Sequence, residues 1–386
     1  MCHRLRTVSF RIKDTMDEIQ AFRFLRRRRE RERHQQFIQR NRNRMRSIRD
    51  KSDPFTVSDD IFKELYRVNK EMARGLVEEL RPHMVEARRS TAIPIELKVL
   101  CALHFFGLGS YQKSAGSDSN LGLSQSSVSN AIEEVTAALN ADEVLAKWIH
   151  FPLMQGERVR LIQKNYQSFG FPGVIGYMDG MHVAIKAPKD EDNLFLNKNS
   201  YHSINVMIVC DSEMIILNCL GRFGGSNHDS VIWNESTVKE VLVDVWASGE
   251  QCWLLGDSGY PHQPWLQTPI LNAPDGSPEA LYNTVHVQAR SAVERCIGLL
   301  KARFRCLLRN RVLEYSPIKA GRIVNACAVL HNMCLKGGLK DANVLLEEPG
   351  EDSVLPEPLP REQMPQIALL QEARAVRQRI VNRLQP

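Results

Sequence analysis

Three acidic residues, each in a different local setting, carry the chemistry this sequence offers: Asp179 in VIGYMDGMHVAIKAP, Asp257 in CWLLGDSGYP and Glu294 in ARSAVERCIGLLKARFRCL. The first two sit where apolar, strand-like runs end. The third falls inside a helix-like run that also holds Arg290, Lys301 and Arg305. Carboxylate oxygens are the donors that hard divalent cations take, and two such cations about 3.5 to 4 Å apart stabilise both the attacking and the leaving oxygen of a phosphodiester. The triad therefore points to metal-dependent chemistry on a phosphodiester, with no protein nucleophile required.

Such a site needs elements that bring distant acids together. From Val174 onward, VIGYMDGMHVAIKA, SINVMIVCD and MIILNCLGRF are successive strand candidates separated by turn-rich segments, which predicts an antiparallel meander. A helix from near SNHDS to about Trp246 follows, then the strand CWLLGD, a proline-rich connection and the Glu294 helix. Three antiparallel strands, a helix, another strand and later helices is the order of an RNase H-like α/β domain, a mixed sheet flanked by helices, over 151–336. In that order the two strand-end aspartates converge. His182 alternates poorly with Asp179 for one strand face, so it reads equally as a core histidine or as a group behind the acids. His331 and Asn332 lie in an apolar helix and read as packing and hydrogen-bonding residues.

Upstream, residues 53–150 are helical in pattern, an all-α unit with helix-turn-helix logic. An apolar helix spans 94–106, a short one 110–116, and SDSNLGLS turns into SQSSVSNAIEEVTAALN. Val128, Ile132, Val135 and Leu139 form its apolar stripe, and Ser124 is placed to cap it. Near its start, Gln125, Ser126, Ser129 and Asn130 are short polar side chains suited to base edges in a major groove, although Glu133 and Glu134 suit phosphates poorly. Plain structural packing is the competing reading.

Charge is uneven in this chain of 386 residues and net charge +6. Residues 1–52 form a basic arm read as a helix, with Arg26, Arg27, Arg28 and Arg29 consecutive and the stretch Arg23 to Lys51 holding only three acids. Such a block suggests a polyanionic partner, a nuclear-import signal or a disordered basic tail. Residues 337–360 read as an acidic, proline-rich linker, and 361–386 as an amphipathic helix that docks on the core or on another subunit. The longest apolar runs fall far short of the about 18 residues of a membrane span, so no membrane partner is expected. Nine cysteines without a CxxC pair argue against a zinc ribbon or a disulfide framework, and Cys327, His331 and Cys334 on one helical face are a weak metal candidate.

Taken in order, MDGMHVAIKAP, HSINVMIVCD, GGSNHDS, LLGDSGYPHQPWLQTPI, SAVERCIGLLKARFRCL and AVLHNMC resemble the PIF/Harbinger DDE transposases and the vertebrate proteins domesticated from them, over about residues 90 to 335. The resemblance implies that Asp179 is the first catalytic carboxylate and Glu294 the third. Asp257 is expected as the second because it ends a strand beside Asp179. Asp229, which opens a helix after two glycines, is the alternative, and it and His228 are otherwise near-site residues. The resemblance also implies two Mg²⁺ or Mn²⁺ ions, with Asp179 and Asp257 shared between them and Glu294 completing one shell. Cutting would occur at terminal inverted repeats, followed by joining of 3′-hydroxyl ends to A/T-rich DNA. Lys186, Arg290, Lys301 and Arg305 are expected to hold the DNA backbone. A nuclear location, a Myb-like DNA-binding partner and a homodimer or higher oligomer are further implied. Two other readings remain open at this point: a domesticated DNA-binding scaffold without transposition, and a nuclease for RNA-containing substrates.

Overall fold

The structure, a computed structural model, describes residues 2–51, 53–86, 92–109, 121–188, 192–339 and 367–385. Five strands make one mixed sheet in the order β3-β2-β1-β4-β5. They are β1 (Val174–Ala184), β2 (Ser203–Cys210), β3 (Ile216–Gly224), β4 (Trp253–Leu255) and β5 (Leu266–Gln267). The first three pair antiparallel, as the meander pattern predicts, whereas β4 runs parallel to β1 and β5 parallel to β4. β2 is buried along its whole length, which is why SINVMIVC is an unbroken apolar run rather than an alternating one.

Helices cover both faces. On one, Tyr177, Met181 and Val183 of β1 share a core with Ala292, Val293 and Cys296 of the Pro278–Arg303 helix and with the Pro317–Lys336 helix. On the other, Met178, Met207 and Leu254 pack against Ile232, Trp233, Val238 and Leu242. The single helix expected from SNHDS to Trp246 is two, Asp229–Asn234 and Thr237–Ala247. The break falls at Ser236, whose Oγ accepts from Lys239 N and starts the second helix. β5 also departs from expectation, since Leu266 and Gln267 pair with β4 from within the proline-rich connection.

The upstream helices join the first of these two cores. Phe62, Tyr66, Leu76, Leu100, Phe106, Val128, Ile132 and Val135 belong to the same contiguous cluster as Tyr177, Ile208 and Val324. Hydrogen bonds cross the expected boundary near 150: Asn140 Nδ2 donates to Arg322 O at 2.9 Å, and Asn332 Nδ2 to Trp148 O at 2.7 Å. The Gln125–Leu139 helix starts at Ser124, whose Oγ accepts from Ser127 N, and it buries the expected stripe. Its two glutamates are paired, Glu134 with Lys98 at 2.5 Å and Glu133 with Lys319. The short helix expected over 110–116 lies outside the described residues, as does most of the 337–360 linker.

Cys2–Lys51 is one helix, about 75 Å long at 1.5 Å per residue, and its end approaches Gly122 through Met45 and Arg49. At the other terminus the helix runs from Ile367 to Leu384 and docks on the core, burying Ala373, Val376, Ile380 and Val381. Arg377 Nη1 donates to the carbonyls of Thr268 and Pro269, each at 3.2 Å. Among the described residues no helix is long and apolar enough to cross a membrane.

Candidate active site

The register of β1 and β4 decides where the first two acids stand. Their pairing ends at Tyr177↔Leu255; Asp179 lies two residues further along β1, and Asp257 two residues past the end of β4. A shift of two keeps a side chain on the same face, and neighbouring strands are about 4.8 Å apart, so the two aspartates share one level at the open end of β4. Asp257 lies two residues past Leu255, the last residue of its strand, close to the strand end its sequence context predicts. Asp179 does not: it sits in the middle of β1, which pairs with β2 as far as Ala184↔Ser203. The strand end that matters is that of β4, because beyond Tyr177 one edge of β1 has lost its neighbour while the other has not.

The third acid arrives from the helix packed on that face. Arg290 and Glu294 are one turn apart on Pro278–Arg303, so their side chains are neighbours. Arg290 Nη1 donates to Asp179 Oδ2 at 3.0 Å and Nη2 to Glu294 Oε1 at 2.6 Å, so one guanidinium spans two of the three carboxylates. Arg290 and Asp179 are mostly enclosed, at 18% and 19% side-chain exposure, whereas Glu294 is open at 55%. Enclosure pushes Asp179 up to about 7, Arg290 pulls the other way, and the nearby charges of Asp257 and Asp229 add to the rise. Burial acts against the charge on Arg290, but Asp179, Glu294 and Asp257 more than offset it and hold the guanidinium above its ordinary value.

Asp229 lies on the far side of β1. A Cβ on Gly180 would stand 2.4 Å from Asp229 Oδ1, so this carboxylate is seated directly on the strand backbone and only glycine leaves it room. Asn205 Nδ2 donates to the same oxygen at 2.8 Å. Burial raises Asp229, opposed by that hydrogen bond and reinforced by Asp257. His228 precedes it as the exposed N-cap residue of Asp229–Asn234. His182 shares this second face by alternation, and its Nδ1 lies 3.0 Å from Ser203 Oγ, which accepts from Asn197 Nδ2 at 2.9 Å.

The basic residues divide by place. Lys186 is exposed just past β1, and its backbone N–H donates to Leu313 O. Lys301 is half-buried on the helix, but Arg305 is off it, because the helix ends at Arg303 and Arg305 opens a 3₁₀ turn. Arg290 is engaged with the acids. Gln125, Ser126 and Asn130 are exposed and Ser129 is half-buried. Arg26 to Arg29 are exposed on the long helix, where Arg26 pairs with Glu30 and Arg28 with Glu32. Sequence reasoning missed one feature: the Arg309 guanidinium stacks over the Tyr201 ring at 4.5 Å, and that ring meets His182 edge-on at 6.5 Å. The bridge Ile185↔Leu313 brings these segments together, and no periodicity links positions 201 and 309.

The donor set suits a hard divalent cation. All three acids offer oxygen, and two of them already share a cation, the guanidinium. Among the described residues, no three His, Cys, Asp or Glu side chains converge as a finished metal cluster, and Arg290 stands between two of the acids.

Residues 178–332 match the model of the DDE superfamily endonuclease family. The chain is 36% identical to "Putative nuclease HARBI1" of Bos taurus over 285 residues, 73% of this chain and 80% of that protein. It is 35% identical to the Homo sapiens protein of the same name over the same shares. A more distant relative, "Protein ALP1-like" of Arabidopsis thaliana, is 26% identical over 64% of this chain and 62% of its own length. No solved structure matches the chain.

Proposed function

We propose that this chain, which belongs to the HARBI1 family and carries a DDE superfamily endonuclease domain, cuts DNA phosphodiesters at transposon terminal inverted repeats and joins the 3′-hydroxyl ends to A/T-rich target DNA. The observation that carries this reading is that Asp179, where β1 loses β4 as its neighbour, Asp257, just past the end of β4, and Glu294 stand together on a mixed five-stranded sheet flanked by helices, the arrangement expected of an RNase H-like domain. Asp179, Asp257 and Glu294 would hold two Mg²⁺ or Mn²⁺ ions, which when bound supply charge stabilisation to the attacking and leaving oxygens. Asp257 is preferred over Asp229 because Asp229 is committed to Asn205 and seated behind Gly180.

The chain's own residues do the rest. Asp179 is fixed by the N–H of Gly180 at 2.9 Å, and Asp257 Oδ1 accepts from Gly259 N at 3.0 Å, so both carboxylates are held before substrate arrives. Lys186, Lys301 and Arg305 contact phosphates, which positions the duplex without reading its sequence. Tyr201 under Arg309, beside His182 at the far end of β1, offers a stacking surface for a base. Gln125, Ser126, Ser129 and Asn130 meet the major groove, and Arg26 to Arg29 add charge contacts and a nuclear-import signal. Action as a dimer or larger assembly, with a Myb-like DNA-binding partner in the nucleus, completes the proposal.

The test is cleavage and joining of radiolabelled element ends by purified protein with Mg²⁺ or Mn²⁺ and its partner. Nicking that depends on Asp257 supports the reading. Tight binding of ends without any nicking would replace it with a domesticated DNA-binding scaffold.

A further inference from the structure

We propose that Arg290 is a built-in counter-cation, which holds Asp179 and Glu294 together while no metal is bound and gives up that position when a divalent ion enters. The inference rests on the metal-ion reading above and goes beyond it. Asp179 Oδ2 and Glu294 Oε1, the two oxygens that Arg290 engages, are oxygens that a metal on these residues would need. A guanidinium and a divalent ion on the same two carboxylates repel one another at close range, so entry of the ion weakens the present Arg290 pairing. Without Arg290, Asp179 would stay enclosed in mid-β1 among the charges of Asp257 and Asp229 and would lose the cation that opposes them. Burying a charge without a partner is strongly unfavourable, so a removable partner keeps the apo site folded. The long side chain has somewhere to go: Val287, one turn earlier on the same helix, is 62% exposed, so solvent lies within reach of Arg290.

An exchange of this kind makes Arg290 a positioning residue whose removal strengthens metal binding, the opposite of what a group that helps to build the metal site would do. Mn²⁺ titration calorimetry on the full chain reads this directly. Arg290→Gln is expected to bind Mn²⁺ at least about tenfold more tightly than the parent. Its metal-free melting temperature should fall and its rise on adding Mn²⁺ should grow. Arg290→Lys keeps the charge but cannot span two carboxylates as a fork, so its affinity should lie between the two, and it serves if the glutamine variant fails to fold. Arg295→Gln removes one positive charge from the same helix, one turn and one residue beyond Arg290, where Arg295 lies over Phe169, and should leave affinity within about twofold. Equal or weaker Mn²⁺ binding by both Arg290 variants, with the parent binding normally, overturns the counter-cation role alone. A parent chain that binds no Mn²⁺ defeats the metal-ion reading and this inference with it.

Discussion

The two faces of β1 hold the same chemical group in opposite ways. On the face of the Pro278–Arg303 helix, Asp179 is paired with a long, charged side chain that other cations can replace. On the other, Asp229 lies against Gly180 and is bound by Asn205, a short amide from the neighbouring strand. Both are raised by burial, so electrostatics alone does not separate them. What separates them is the partner: a replaceable cation leaves an acid available for chemistry, and a neutral donor fixed in a sheet makes it part of the scaffold.

The sharpest way to break this contrast is to neutralise each acid in turn. Asp179→Asn and Asp257→Asn should each slow Mn²⁺-supported nicking by at least about 10³-fold, because a catalytic charge interaction is lost. Asp229→Asn keeps an oxygen for Asn205 and should cost no more than about tenfold. Similar losses at all three positions would erase the distinction.

A second effect follows from protonation. The folded chain holds Asp179 near 7, above its unfolded value, so the fold favours the neutral form. That contribution is complete below the ordinary carboxylate range and is lost as pH rises from about 4 through about 7. Metal-free Asp179→Asn should therefore gain stability relative to the parent as pH rises from about 4 to 8, by about 1 to 4 kcal/mol in denaturant titrations. A difference independent of pH would mean that Arg290 keeps Asp179 charged throughout.

Gly180→Ala probes the other face. Its Cβ would meet Asp229 at 2.4 Å, so a loss of about 1 to 3 kcal/mol is expected from the unfolding midpoint, with Mn²⁺ affinity little changed. The smallest effect at the carboxylates should come from deleting residues 1–51. DNA affinity should fall about tenfold, and the dependence of log K on log salt should flatten by about 0.9 for each phosphate that the arm no longer neutralises, while the nicking rate of bound DNA stays the same.

How much of this could be read from the residues depends on separation along the chain. Asp257 was legible because GDSGY ends an apolar run, and the Gln125–Leu139 helix because its stripe and its serine cap are local. The break at Ser236 was equally local but hidden, since the apolar residues of the two short helices run on as if continuous. Asp179 in mid-strand was not legible, because a sequence does not say which edge of a strand loses its neighbour first. Arg290 stood out as a cation one turn from Glu294. Its bond to Asp179 spans 111 positions and depends on how the helix lies on β1. The commitment of Asp229 likewise needs Gly180 and Asn205, brought together only by the sheet.

Which carboxylates hold metal is the central question, and diffraction from Mn²⁺-soaked crystals at the manganese absorption edge addresses it directly. Two anomalous peaks are predicted, both within coordination distance of Asp179 or Asp257, one of them also touching Glu294, with Arg290 moved off its present partners. Peaks on Asp229 with Asp257 left bare, or no peak beside Asp179, would contradict it.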